Sequence, residues 1–400
     1  MVKLLVLQRI HLLQTVRRLL MNKNREPLIR VVKREGMKRR EIVMLYFGAI
    51  ILALGIGAIL LLSLDAEPFE YYEKMFTMGT IGNKLAYIQF QTYVQEFVPL
   101  LITSLALSLA FKMRFWNIGG EGQFLLGSLA GATVAFMVPT STNVFLSMFL
   151  MILAGAVVGG LIGLSTAALK VKFGTNETLF TLMINYVALY VMRFFGETKA
   201  DWNIFLRPEE RPKFNQIPDN TKMFTIKIGD FSLELSLILA IVLVVVLYFY
   251  LNRTKQGYEI AVVGDSINTA KYAGMKVNKV ICRTMFISAA LIGAAGALRV
   301  SSVHALSDSI TNSVGWTGIV VAWLAKLNPI GIVIVSALIT LLQCGCRFAS
   351  SSFGNIDSHF ADLLQGIILF VILAADFFIR FKIVFRHNSK KSSSEKEVNA

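Results

Sequence analysis

Charge is what this sequence has least of. Asp, Glu, Lys and Arg make up 16 % of its 400 residues, against about 25 % in an ordinary soluble domain. Hydrophobic residues reach 55 %, which excludes a disordered or collagen-like chain and leaves more apolar surface than a soluble fold of this size can bury. Cysteine is nearly absent. Cys282, Cys344 and Cys346 supply neither a disulfide framework nor a four-ligand zinc site, and the Cys344-Gly345-Cys346 run reads as small packing residues. The four histidines are scattered, with no H-E-x-x-H. There is no Gly-Lys dipeptide, hence no phosphate-cradling G-x-x-x-x-G-K-[ST] loop, and no G-x-S-x-G nucleophile elbow. The composition leaves a polytopic membrane protein without an enzyme's signatures.

A helix crosses the hydrocarbon core with about 20 mostly apolar residues. Such runs lie near 42–63, 92–111, 123–138, 145–169, 179–195, 235–251, 281–300, 330–345 and 364–381, with a shorter one at 315–325. They are too long and continuous for barrel strands, which alternate with period two. The expected fold is an all-α bundle of about ten transmembrane helices.

The net charge of +15 is a matter of topology. Twelve Lys and Arg precede the first span, six lie in the loop 252–283, and six in the segment 380–400. With Lys112, Arg114, Lys170 and Lys172, 28 of the 40 cations fall on one side. The positive-inside rule places both termini in the cytoplasm. Cations that track an interface rather than one folded face argue against a nucleic-acid partner. Three parts follow: a basic cytoplasmic segment 1–41, read as an amphipathic helix on the inner leaflet, a transmembrane domain 42–381, and a cytoplasmic tail 382–400.

Several polar interruptions stand out. Phe115-Trp116-Asn117-Ile118-Gly119-Gly120-Glu121-Gly122-Gln123 reads either as a broken helix beside a translocation path or as a turn capped by Asn117. Val314-Gly315-Trp316-Thr317-Gly318 opens a short helix of about 12 residues that stops at Asn328-Pro329. These two pieces occupy matching positions in segments 2–5 and 7–10. Those halves start from opposite sides, so they form an inverted repeat with two interrupted or re-entrant segments, the pattern that marks a transporter's binding region. Asn176 and Glu177 precede the fifth span, where capping is the simplest reading. Asn185 lies deeper and is suited to bonding across a helix interface.

The loop 252–280 is the longest and most polar on the inner side. Asp265 or Ser266 caps a short helix through Ile267, Ala270 and Ala273, which Gly274 ends after Gly264 introduces it. Such a knob fits a groove on a partner protein.

Asn117-Ile118-Gly119-x-Glu121-Gly122-Gln123, Asn176-Glu177-Thr178 with Leu182-Met183-x-Asn185-Tyr186, and Gly264…Ala270…Gly274 resemble the permease subunits of bacterial ABC importers. The resemblance spans about 340 residues. It is closest to nucleoside importers that work with a surface lipoprotein, within a wider group that includes ribose-type and branched-chain amino-acid permeases. It implies a place in the plasma (inner) membrane of a bacterium, with two permeases, identical or homologous, two ATPase subunits that bind ATP and Mg, and an external binding lipoprotein. This chain itself would carry no cofactor. The resemblance implies that Gly264–Gly274 is the coupling helix docking in the ATPase. Ser313 stands where Gly is frequent in the group, and Met275 where Ile is. A ribose-type sugar permease is the alternative within the group. Outside it stands an ion-coupled secondary transporter, for which only Glu96, Glu121 and Asp362 lie near suitable depths, and then a membrane scaffold.

Overall fold

The structure, a computed structural model, describes residues 29–385 apart from 35, 79, 81–85, 208–213, 230, 355 and 357. The amphipathic arm expected before residue 29 and the end of the tail lie outside the described residues. In chain order the helices are α1 (Arg39–Ser63), α2 (Pro68–Thr77), α3 (Ala86–Lys112), α4 (Gly120–Met137), α5 (Val144–Phe173), α6 (Glu177–Glu197), α7 (Leu235–Arg253), α8 (Lys255–Asp265), α9 (Ile267–Tyr272), α10 (Val277–Val303), α11 (Val314–Leu324), α12 (Pro329–Ser352) and α13 (Ser358–Arg380). Four short strands accompany them, β1 (Ile29–Lys33), β2 (Thr225–Ile228), β3 (Phe231–Glu234) and β4 (Phe381–Phe385).

Among the described residues, α1, α3, α5, α6, α7, α10, α12 and α13 are long and apolar enough to cross a bilayer. The other two expected segments are the irregular ones. Helix α4 has 18 residues and a polar first turn, and α11 has only 11. All ten expected segments are therefore helical, and the two interrupted ones are α4 and α11.

The chain forms two units. One holds residues 1–59 and 366–400. In it, the Tyr46 hydroxyl on α1 donates to Asp376 on α13 at 3.1 Å, and Arg380 pairs with Asp376 at 2.7 Å. Strand β1 pairs antiparallel with β4, from Ile29 opposite Phe385 to Lys33 opposite Phe381. Residues 29–33 of the basic segment and 381–385 at the start of the tail are thus hydrogen-bonded to each other.

The other unit, residues 60–365, is built around α3, of whose apolar stretch 94 % is buried. Helices α4, α5 and α10 meet along a seam of small residues. A Cβ on Gly293 would stand 2.1 Å from the Gly155 carbonyl oxygen, one on Gly159 2.4 Å from the Ala289 oxygen, and one on Gly127 2.4 Å from the Gly293 Cα. Lipid tails give apolar helices no hydrophobic reason to associate, so close backbone approach through small residues supplies the attraction. Helix α2 lies against α12. The buried Tyr71 hydroxyl bonds the Cys346 carbonyl at 3.2 Å and Ser350 at 3.0 Å, and a Cβ on Gly345 would come within 2.0 Å of the Met75 oxygen. The Cys-Gly-Cys run therefore packs α2 onto α12.

Candidate translocation site

The polar interruptions converge at the start of α4. A reciprocal amide pair braces the turn before it. Asn117 Nδ2 donates to Gln123 Oε1 and Gln123 Nε2 to Asn117 Oδ1, both at 3.1 Å. Both side chains are fully buried, where an unpaired amide would cost roughly 1–3 kcal/mol per group. Asn117 Oδ1 also accepts from the Gly119 N–H at 3.2 Å. Asn117 thus shapes the turn, whereas Gly119 holds the N-cap position of α4 with no side-chain cap.

Helix α6 closes this turn from one side. Asn185 Oδ1 accepts from the Gly122 N–H at 2.8 Å, and Asn185 Nδ2 donates to the Ile118 carbonyl at 2.9 Å. The Thr181 hydroxyl accepts from the Ile118 N–H at 3.2 Å. Glycine is needed here for space. A Cβ on Gly122 would sit 2.9 Å from the Ile184 oxygen, and one on Gly119 3.1 Å from Thr181.

Helix α11 closes it from the other side. Glu121 Oε2 accepts from the Gly315 N–H at 2.8 Å, and the Thr311 side chain and the Trp316 N–H also face this carboxylate. A Cβ on Gly315 would stand 2.3 Å from the Glu121 nitrogen, and Gly120 lies 3.6 Å from the Gly315 Cα by the same measure. The N-termini of two short helices therefore meet, with one carboxylate between them. Each terminus presents unsatisfied N–H groups and a partial positive charge, which favours an anion there. Leu107 of α3 touches Gly120 and Gly318. That level is five residues above Lys112, or about 7–8 Å along the helix.

Below the junction three aromatic rings gather. Trp116 stacks on Trp323 with centroids 5.4 Å apart, and Phe111 lies 6.0 and 5.7 Å from them.

The side chains of the remaining candidates lie elsewhere. Asn176 caps α6, accepting from the Thr178 and Leu179 N–H groups at 3.0 and 3.3 Å, and Glu177 pairs with Lys170. Asn328 caps α12 through the Ile330 N–H at 3.1 Å. Trp316 is 43 % exposed and is not among the three gathered rings. Lys326 lies beyond the end of α11, in the left-handed region with φ 53°.

The inner loop holds two helices, α8 and α9, where the sequence suggested one. Of the two candidate caps, Ser266 takes the role, its hydroxyl accepting from the Thr269 N–H at 3.2 Å, and Asp265 ends α8. Ala270 is fully buried beneath α9, Ala273 follows as C-cap, and Gly274 turns the chain with φ +74°. Gly264 seats the segment on α3, since a Cβ there would be 2.1 Å from the Lys112 oxygen. Ile267 and Tyr272, 49 % and 93 % exposed, face outward.

Sequence reasoning missed a charged cluster on the far half of α3. Glu96 accepts from Arg299 at 2.7 Å and from Asn312 at 2.9 Å, with Arg347 at 3.5 Å. Close by, Glu234 accepts from Gln95 at 2.7 Å, Ser236 at 3.0 Å and Ser302 at 2.7 Å. Arg299 inside an apolar run was the available signal, since such a residue almost always pairs when buried. Beside this cluster, His304 ends α10 with φ 66°. Burial, with the Lys222 charge nearby, holds its imidazole below the ordinary value of 6.5.

Residues 89–373 match the protein family described as branched-chain amino acid transport system / permease component. The chain is 30 % identical over 339 residues to the guanosine ABC transporter permease protein NupP of Bacillus subtilis, covering 83 % of this chain and 93 % of that one. It is 26 % identical over 362 residues to the nucleoside ABC transporter permease protein NupB of Lactococcus lactis, covering 87 % and 95 %. It is 24 % identical to the glucose ABC transporter permease protein TsgB13 of Haloferax volcanii over 84 % and 88 % of the two chains.

Proposed function

The chain belongs to the family of branched-chain amino acid transport system permease components, and from that premise we propose that it forms one half of the path by which an ABC importer takes up a nucleoside. It is a multi-pass membrane permease. The reading is carried by the Glu121–Gly315 junction, where two short helices with opposed directions end nose to nose in the bundle. Broken helices of this kind give a path polar backbone ends while the surrounding protein shields them from lipid. In this reading Asn117, Gly119, Gly120, Gly122, Gln123 and Asn185 fix the junction, and Glu121 is the group that the access switch moves.

The energy comes from outside the chain. Separate ATPase subunits, holding ATP and Mg, dock on the α8–α9 segment through Ile267 and Tyr272. A second permease, identical or homologous, completes the path, and an external binding lipoprotein delivers cargo. Both termini face the cytoplasm of a bacterial cell. The ion pairing of Glu96 supports an ATP-driven importer over a proton relay, because a carboxylate held by two arginines is poorly placed to take up and release protons.

The nucleoside assignment rests on the names of the guanosine and nucleoside relatives. The glucose relative keeps a sugar as the second reading. Deleting the gene and measuring uptake of labelled guanosine, inosine, ribose and glucose decides between them. Loss of guanosine or inosine uptake alone is the expected result. Unchanged nucleoside uptake with loss of sugar uptake overturns the first reading.

A further inference from the structure

Two exposed strands join the spans of the smaller unit. Strand β4 continues directly from α13, and α1 starts six residues after β1 ends. Five residues of strand reach at most about 17 Å, so the β1–β4 ribbon stays within a headgroup layer's depth of the two helix ends. Its register sorts the side chains. Arg30 lies opposite Val384 and Val32 opposite Lys382. Since alternate residues share a face, Arg30, Val32, Lys382 and Val384 line one side. The diagonal pair Arg30 and Lys382 then stands about 7–8 Å apart at the Cα atoms, a gap that one phosphate group spans.

The chemistry of that face is mixed in a particular way. Val32 and Val384 are 45 % and 40 % exposed, although a two-stranded ribbon bearing bare valines is at best marginal in water. Residues 29–41 and 380–391 carry eleven Lys and Arg against Glu35 and Glu41. The nearby Asp376 is already engaged by Arg380 and Tyr46. Cations and aliphatic side chains alternating beside two membrane helices match the boundary between lipid phosphates and acyl chains.

We propose that the β1–β4 ribbon is a binding site for the headgroup of an anionic phospholipid, with Arg30 and Lys382 holding the phosphate and Val32 and Val384 resting on the acyl boundary. The site tethers the segments flanking α1 and α13 to one leaflet. It does not depend on which cargo the permease carries.

The test uses full-length protein in nanodiscs of phosphatidylglycerol and phosphatidylcholine, with spin-labelled lipids reporting the immobilised fraction of each. The variant Arg30→Gln/Lys382→Gln is expected to lose preference for phosphatidylglycerol by roughly five-fold per cation removed, with phosphatidylcholine unchanged. The control Lys255→Gln/Lys271→Gln removes as many charges from the inner loop and is expected to keep the preference. Arg30→Lys/Lys382→Arg keeps it too, and the single change Lys382→Gln gives the reading where the double does not fold. Equal loss in the control, or no loss in either Gln variant, overturns the site. Displacement of the labelled lipid by millimolar inorganic phosphate also overturns it, because the ribbon would then be a pocket for free anions.

Discussion

The Glu121 carboxylate and the Gly315 backbone N–H lie 2.8 Å apart, although 194 residues separate them in sequence. One belongs to the first half of the inverted repeat and the other to the second. The bond therefore ties together two helix ends that travel in opposite directions, and it does so where a Cβ on Gly315 would have no room.

Gly315→Ala is expected to abolish uptake while the protein still inserts, because the new methyl collides with backbone that cannot rotate away. Glu121→Gln keeps an acceptor and is expected to retain part of the activity. Glu121→Ala leaves the Gly315 N–H without its partner, at a cost of about 1–3 kcal/mol. Transport in cells alongside melting of purified protein checks the order. Equal activity of Gly315→Ala and wild type would refute the junction's role.

Asn185→Ala removes both bonds that Asn185 makes to the turn, to Gly122 and to Ile118. A loss of roughly 1–3 kcal/mol is expected. Asn185→Asp keeps the acceptor for Gly122 but sets a buried carboxylate oxygen against the Ile118 carbonyl, so its melting point should lie no higher than that of Asn185→Ala. A melting series of the three proteins decides this.

Gly293→Ala tests the small-residue seam. With the Gly155 oxygen 2.1 Å from the new Cβ, helices α5 and α10 must separate, and overpacking of this kind costs about 1–3 kcal/mol or more. Gly48→Ala on α1 meets nothing within 4 Å and serves as the neutral control. Thermal unfolding in detergent should show a clear drop for the first and none for the second.

Ile267→Ser/Tyr272→Ser changes two exposed side chains and leaves the buried Ala270 in place. The variant is expected to melt like wild type, yet to lose co-purifying ATPase and uptake together. Retention of the ATPase at wild-type levels would place the docking surface elsewhere.

His304 supplies a pH dependence with a definite sign. Its folded value lies below 6.5, so the unfolded chain takes up a proton first as pH falls. Stability is intact above 6.5 and declines below it. His304→Asn, which tolerates the left-handed backbone, should flatten the slope between pH 7 and 5.5. An unchanged slope would assign the effect to other groups.

The helices were legible because lipid demands long apolar runs, and all ten segments could be located from hydropathy alone. The interruptions at Gly120 and Gly315 were legible as well, since glycine beside polar residues in an apolar run has few other reasons. Their mutual contact was not. Nothing local in the sequence says that Glu121 meets Gly315, because that contact comes from the antiparallel arrangement of two halves. The Glu96–Arg299–Arg347 cluster escaped for the same reason, as its members come from three helices. The β1–β4 ribbon was hidden by its charge, which made both strands look like solvated ends.

Gly264 gives the inner segment one more property. The segment rests on the Lys112 carbonyl with no side chain between, and Leu107 of the same helix touches Gly120. A shift of α8 and α9 by an ångström toward the bundle has no soft layer in which to dissipate. It must either slide the lower end of α3 or open a gap against it, and the next thing α3 carries with it is the floor beneath the two helix tips. The permease thus has a pushrod five residues long, whose stiffness depends on a missing methyl group.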